Sequence, residues 1–134
     1  MITKGIKQLC AEAEAEIETW TVEQALAAKD DDNVVFVDIR DVRELWREGA
    51  VPGAVHAPRG MLEFWVDPDS PHAKEIFRSG KRFAFFCASG DGMRSALSAK
   101  AVQDMGLRPV CRVHGGFAAW RDAGGPVERR ERKG

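Results

Sequence analysis

The sequence has few of the residues that build disulfide frameworks or metal centres. Its 134 residues include three cysteines, an odd number that is too small for a disulfide network, and three histidines without metal-ligand spacing to the cysteines. No apolar run approaches the ~20 residues of a membrane helix, and no secretory signal opens the chain. We therefore expect a cytoplasmic protein, in a reducing compartment, that binds neither a metal nor a membrane.

The chain also lacks a strong overall charge. Its net charge is −1, so it has no basic field that would attract nucleic acid. Acidic residues concentrate between Glu12 and Asp32, and basic residues follow from Arg129, which we interpret as a solvated face and a frayed tail. The length fits one domain. We expect a flexible or helical lead-in over residues 1–15, a folded domain over 16–128 and a basic tail over 129–134.

Strand and helix patterns alternate along the chain. Continuous β-branched and aromatic runs, such as residues 34–37, are typical of strands buried on both faces of a sheet. The predicted strands are 34–37, 54–57, 82–86 and 109–113. The predicted helices are 21–28, 40–48, 61–65, 73–78, 95–105 and 117–122. This alternation predicts an α/β domain whose mostly parallel sheet is covered by helices on both faces.

One cysteine, Cys87, stands where such a domain performs chemistry. It follows the buried strand 82–86 directly and precedes a glycine-rich loop and a helix. Ligands gather beyond the carboxyl ends of parallel strands, and Gly90 and Gly92 permit a loop whose amides surround an anion. The following helix begins with free N–H groups, and Arg94 adds a positive charge. These features favour a Cys87 thiolate, a persulfide or a bound oxyanion, and nucleophilic attack by Cys87. The alternative is a buried cysteine that only packs.

Several segments, in order, resemble the rhodanese family. They are Phe36-Val-Asp-Ile-Arg40 followed by Glu44, Gly49-Ala-Val-Pro-Gly-Ala-Val55, Phe86-Cys-Ala-Ser-Gly90 with Arg94-Ser95, Gly115-Gly-Phe-Ala-Ala-Trp120 and Gly125-Pro-Val-Glu128. Ala50 stands where the family usually has histidine. The similarity spans residues 17–128. It implies a doubly wound sheet, and it identifies residues 16–128 as a rhodanese-like domain.

The resemblance also implies a reaction. Cys87 would accept sulfane sulfur from a donor such as thiosulfate and pass it, as a persulfide, to a thiophilic acceptor such as cyanide or a thiol, small or carried by a protein. No metal or organic cofactor is implied. The substrate-binding residues would be Ala88, Ser89, Gly90, Asp91, Gly92, Met93, Arg94, Ser95 and, from a separate segment, Arg59. Asp38 and Arg40 would be structural, holding the loop in place.

The length of the loop leaves other functions open. Sulfurtransferases of this family usually have Cys-x4-Arg, and phosphatases that share the fold have Cys-x5-Arg, whereas Cys87 and Arg94 are spaced Cys-x6-Arg. A second hypothesis is therefore hydrolysis of a phosphate ester, or reduction of an oxyanion such as arsenate, with Asp91, Glu63 or Asp67 as the candidate general acid. A third hypothesis is a non-catalytic module for binding or sensing.

Overall fold

A computed structural model describes residues 1–90 and 93–131 of the chain. The predictions for Asp91, for Gly92 and for residues 132–134 of the basic tail lie outside the described residues. Among those described, no helix combines the length and the apolar character that crossing a bilayer requires.

Helices and strands alternate through the described residues. The helices are α1 Ile6–Glu16, α2 Val22–Ala27, α3 Val42–Glu48, α4 Leu62–Val66, α5 Met93–Asp104 and α6 Gly116–Asp122. The strands are β1 Glu18–Trp20, β2 Val34–Asp38, β3 Val55–His56, β4 Arg82–Phe86 and β5 Val110–Val113. Two 3₁₀ turns, Arg59–Met61 and Glu75–Arg78, join the sheet to its helices.

The five strands described form one parallel sheet in the order β1-β5-β4-β2-β3. Side chains alternate across the central strands, as the pleat of a strand requires. Val37 and Phe85 pack into a core under α1, α4 and α5, whereas Phe36 and Phe86 pack into a second core under α2 and α6. The prediction of a doubly wound α/β sheet with helices on both faces is confirmed.

The first strand, β1, is absent from the sequence prediction. It has three residues, none of them buried, so it gives neither an apolar run nor a period-two pattern. Its pairing with β5, which matches Glu18 with Cys111 and Trp20 with Val113, defines it instead. The segment before β1 was expected to be either flexible or helical, and the structure shows the helix α1. This helix packs on α5 and buries Cys10 and Ala13.

The remaining differences concern short elements near the sheet edge. The strand predicted at 54–57 contains only the two residues that pair with β2. The helix predicted at 73–78 is a single 3₁₀ turn, Glu75–Arg78.

Helix α3 has an N-terminus that bears on the functional site. Asp41 and Glu44 form a capping box, in which the Glu44 carboxylate accepts a hydrogen bond from the Asp41 amide at 2.9 Å. The helix ends at Gly49, whose φ of 90° suits glycine. Glu44 is thereby fixed on the first turn of α3, just beyond the carboxyl end of β2.

Candidate functional site

Cys87 lies at the carboxyl end of β4, and the start of α6 holds its backbone. The Phe117 amide donates to the Cys87 carbonyl at 2.8 Å, and the Ala118 amide donates to the Ala88 carbonyl at 2.9 Å. A Cβ on Gly116 would lie only 2.5 Å from the Cys87 carbonyl oxygen. The second glycine of the Gly115-Gly116 pair is therefore required for this close approach of α6 to the loop.

The Cys87 thiol faces α5. Its sulfur lies 3.7 Å from the Ser95 hydroxyl oxygen, within reach of a weak hydrogen bond, and Ser95 is on the first turn of α5. Cys87 is 3% exposed and borders the core under α5. The loop after it turns at Gly90, whose φ of 65° is the left-handed conformation expected of a glycine in an anion-binding loop.

Arg94 has a partner that the sequence did not predict. Its guanidinium makes a two-pronged ion pair with Glu44, with N–O distances of 2.9 and 3.0 Å. Hydrogen bonding to Glu44 raises the pKa of Arg94, and the Cys87 sulfur and the Asp38 carboxylate act in the same direction. The same hydrogen bonds lower the pKa of Glu44 against the opposing effect of its burial. The positive charge expected beside Cys87 is thus present, but a carboxylate offsets it.

Asp38 and Arg40 form a second ion pair beneath the loop. Both side chains are buried, and the Arg40 guanidinium donates to the Asp38 carboxylate at 2.7 Å and to the Gly49 carbonyl at 2.9 Å. Its carbon centre lies 4.2 Å from the centre of the Phe117 ring. Since the Phe117 amide holds the Cys87 carbonyl, this pair connects the end of β2, the end of α3 and the loop. The supporting role of both residues stays a prediction, and these are the contacts through which they would exert it.

The other singled-out side chains are engaged elsewhere. Arg59, on the 3₁₀ turn after β3, forms an ion pair with Glu63 at 2.7 Å. Glu63 is one of the three candidate general acids, and its carboxylate is therefore already paired. Asp67 accepts the Asp69 amide within its own turn. It also lines a cavity of about 450 Å³ at the C-terminal end of α5, whereas Cys87 contacts the first turn of that helix.

The two remaining cysteines lie in the cores. Burial raises the pKa of the Cys10 thiol on α1, with a further contribution from Glu14, and burial raises the pKa of Cys111 in β5 to about 12. All three cysteines are free thiols. Among residues 1–90 and 93–131, no three metal-binding side chains converge.

The sequence matches the family described as the rhodanese-like domain over residues 21–123. The chain belongs to this family. The match covers β2, the Cys87 segment and the two glycines at the start of α6, which are the parts that build the loop and its support.

Solved structures place this rhodanese-like domain among several relatives. One is a protein of unknown function from Rhodopseudomonas palustris, described as a possible tyrosine phosphatase, with 55% identity over 96% of this chain and 97% of that chain and a TM-score of 0.91. A rhodanese-related protein from Thermoplasma volcanium is 24% identical over 84% of this chain and 99% of its own, with a TM-score of 0.67.

A third relative is a thiosulfate sulfurtransferase from Pseudomonas aeruginosa. It is 23% identical over 95% of this chain, with a TM-score of 0.75, and the match covers 23% of its own length. At this identity the likeness concerns the fold. Among proteins with curated functions, none matches the chain in sequence.

The residue that sequence reasoning undervalued is Glu44. Two signals marked it, the Asp41-x-x-Glu44 capping-box spacing and its place after the Asp38-x-Arg40 motif. Neither signal reveals that Arg94, fifty residues later, would close on it. That contact depends on how α3 and α5 are placed at the ends of neighbouring strands.

Proposed function

We propose that this rhodanese-like domain transfers sulfane sulfur through a persulfide on Cys87. The observation that carries the proposal is the position of the Cys87 sulfur, at the carboxyl end of a central strand, beside Ser95 and the amino end of α5. A nucleophile at this point meets backbone N–H groups that have no partner within the helix. They suit the negative charge that an outer persulfide sulfur carries.

The reaction divides into two displacements at sulfur. The Cys87 thiolate attacks the outer sulfur of the donor, the donor S–S bond breaks, and sulfite or a thiolate leaves with the electron pair. Cys87 is left with one additional sulfur. A nucleophilic acceptor, either cyanide or a thiol, then attacks that outer sulfur, forms its own bond to it and releases the Cys87 thiolate. Neither step requires a metal or an organic cofactor.

The roles of the other residues belong to the same proposal. Ala88, Ser89 and Gly90 and the first residues of α5, Met93 to Ser95, would surround the transferred sulfur, and Arg59 would attract the donor from a separate segment. Asp38 and Arg40 would hold the loop through Phe117. The three free cysteines agree with a reducing cytoplasm, where thiol acceptors are abundant.

A second candidate is hydrolysis of a phosphate monoester. The observations that favour it are the description of the 55% identical Rhodopseudomonas protein as a possible tyrosine phosphatase and the long Cys87-to-Arg94 loop. This reaction needs an acid to protonate the leaving oxygen. Of the three candidate acids, Asp91 lies outside the described residues, Glu63 is paired with Arg59, and Asp67 accepts the Asp69 amide within its own turn. Sulfur transfer needs no such acid, because sulfite and thiolates leave as stable anions, and it is therefore the preferred function.

The decisive test is donor-dependent formation of thiocyanate from cyanide. The donors are thiosulfate and methanethiosulfonate, and hydrolysis of para-nitrophenyl phosphate is followed in parallel. We expect the wild-type protein to form thiocyanate and Cys87→Ser to form none, with Cys10→Ala as the matched control that keeps the activity. Phosphate release that depends on Cys87, without thiocyanate from either donor, would replace sulfur transfer with the second candidate.

A further inference from the structure

Arginines stand at the carboxyl ends of three neighbouring strands, and each has a carboxylate partner. The pairs are Arg40–Asp38 and Arg43–Asp41 after β2, Arg59–Glu63 after β3 and Arg94–Glu44 after β4, with N–O distances between 2.7 and 3.1 Å. A site built to attract a doubly charged anion would leave such arginines uncompensated. Here each positive charge is offset by a negative charge in direct contact.

The pair that matters most for a sulfur donor is Arg94–Glu44. Arg94 directly precedes Ser95, whose hydroxyl oxygen lies 3.7 Å from the Cys87 sulfur, so the ion pair is anchored at the end of α5 that the sulfur faces. Both carboxylate oxygens of Glu44 are engaged by Arg94, and the Glu44 side chain is only 17% exposed. Water and salt therefore screen this carboxylate less than they screen Glu63, whose side chain is 43% exposed.

We propose that Glu44 determines the charge of the sulfur donor, so that the site favours donors with at most one negative charge over dianionic thiosulfate. The favoured class comprises persulfides and organic thiosulfonates. The proposal rests on the proposed function of Cys87 and specifies its substrate. The backbone N–H groups at the start of α5 would stabilise a single negative charge on the donor, and Glu44 would disfavour a second one.

Two donors of similar shape, thiosulfate and methanethiosulfonate, differ in charge but react with Cys87 in the same way. With thiosulfate, Cys87 takes the outer sulfur and sulfite leaves with the electron pair of the broken S–S bond. With methanethiosulfonate, the same bond forms and breaks, and methanesulfinate leaves. The second donor has a methyl group in place of one charged oxygen, so the two donors differ by one negative charge while sulfur transfer proceeds in the same way.

The variant that tests the proposal is Glu44→Gln. A glutamine still accepts the Asp41 amide in the capping box and one hydrogen bond from Arg94, so α3 keeps its first turn. We expect kcat/KM to rise about tenfold for thiosulfate and about threefold for methanethiosulfonate, because the repulsion scales with the donor's charge. The preference for methanethiosulfonate should fall about threefold.

Glu16→Gln is the matched control. It removes the same charge from an ion pair, here with Lys100 at 3.0 Å, but at the far end of α1. We expect the ratio of the two kcat/KM values to stay at its wild-type value. A ratio that changes equally in both variants would show that total charge, and not Glu44, governs the choice of donor, and would overturn the proposal.

A measurement on the wild-type protein gives an independent check. If the pairs cancel the positive field, added salt should leave kcat/KM for thiosulfate unchanged or raise it, whereas a net positive site would lose activity steeply. A steep loss, or an unchanged donor ratio in Glu44→Gln, overturns the role of Glu44 and leaves Cys87-dependent transfer intact. Absence of transfer from both donors in the wild-type protein overturns the proposed function and this inference together.

Discussion

Two arginine–carboxylate pairs at the carboxyl end of the sheet, Asp38–Arg40 and Glu44–Arg94, differ in how far their side chains are exposed to solvent. In the first pair both side chains are almost fully buried, at 1% and 0% exposed, whereas the Arg94 side chain in the second is 43% exposed. Burial makes the first pair costly to break, since either partner alone would be an uncompensated charge in the core. Exposure lets the second pair respond to ions that approach the loop.

The difference indicates a division of labour. Arg40 acts on backbone, through the Gly49 carbonyl, and on the Phe117 ring. Arg94 contributes a charge at the start of α5, next to Ser95, whose hydroxyl oxygen lies 3.7 Å from the Cys87 sulfur. We infer that removing a member of the buried pair should change mainly stability, and removing Glu44 should change mainly the choice of donor.

The largest effect is expected for Asp38→Ala. It leaves the buried Arg40 charge without its partner, so the free energy of unfolding should fall by about 3–5 kcal/mol. Turnover per folded molecule should change much less. Urea denaturation gives the first quantity, and thiocyanate formation corrected for the folded fraction gives the second. Near-normal stability together with lost activity would contradict the structural role.

A smaller effect is expected where the support meets the loop, at Gly116. A methyl group there would approach the Cys87 carbonyl to 2.5 Å, and the φ of 59° is unfavourable for alanine. Gly116→Ala should lower the free energy of unfolding by about 2 kcal/mol and displace the loop, so activity should fall as well.

Gly124→Ala is the control for this change. Gly124 also has a positive φ, of 86°, but open space surrounds its Cβ position. Gly124→Ala should therefore have the same unfavourable backbone conformation as Gly116→Ala without the close contact, and it should keep its activity. Equal activities in the two variants would show that the contact between α6 and Cys87 is unimportant for the site.

Much of this fold could be predicted from the sequence, because the central strands are marked by runs of neighbouring apolar residues. The runs 34–37 and 83–86 are apolar on both faces, and Thr21 and Gln24 form the capping box that their spacing predicts. Strand β1 escaped prediction because it exists only through its pairing with β5. An exposed edge strand of three residues has no local signature.

The candidate site likewise has features that neighbouring residues reveal and one contact that only the folded chain reveals. The glycines, the position of Cys87 and the Asp38-x-Arg40 pattern are visible in the chain, since each depends on neighbouring residues. The Arg94–Glu44 contact joins residues 50 positions apart, and it became visible only when the helices were placed on the sheet. The sequence therefore predicted the charge of Arg94 but not its neutralisation.

The smallest expected effect concerns the contribution of Glu44 to stability. Hydrogen bonding to Arg94 lowers the pKa of Glu44 below its ordinary value of 4.5 in the folded state, so the pair stabilises the protein above that value. The stabilisation disappears as the pH falls through the lowered pKa, because the carboxyl group is then protonated in both states. Since Arg94 is 43% exposed, the contribution should be about 1 kcal/mol or less. Urea unfolding should show wild type more stable than Glu44→Gln by that amount at neutral pH, and the difference should shrink as the pH falls below 4.5. A difference that persists at low pH would mean that glutamine disturbs the cap of α3, and that charge is not what stabilises this helix.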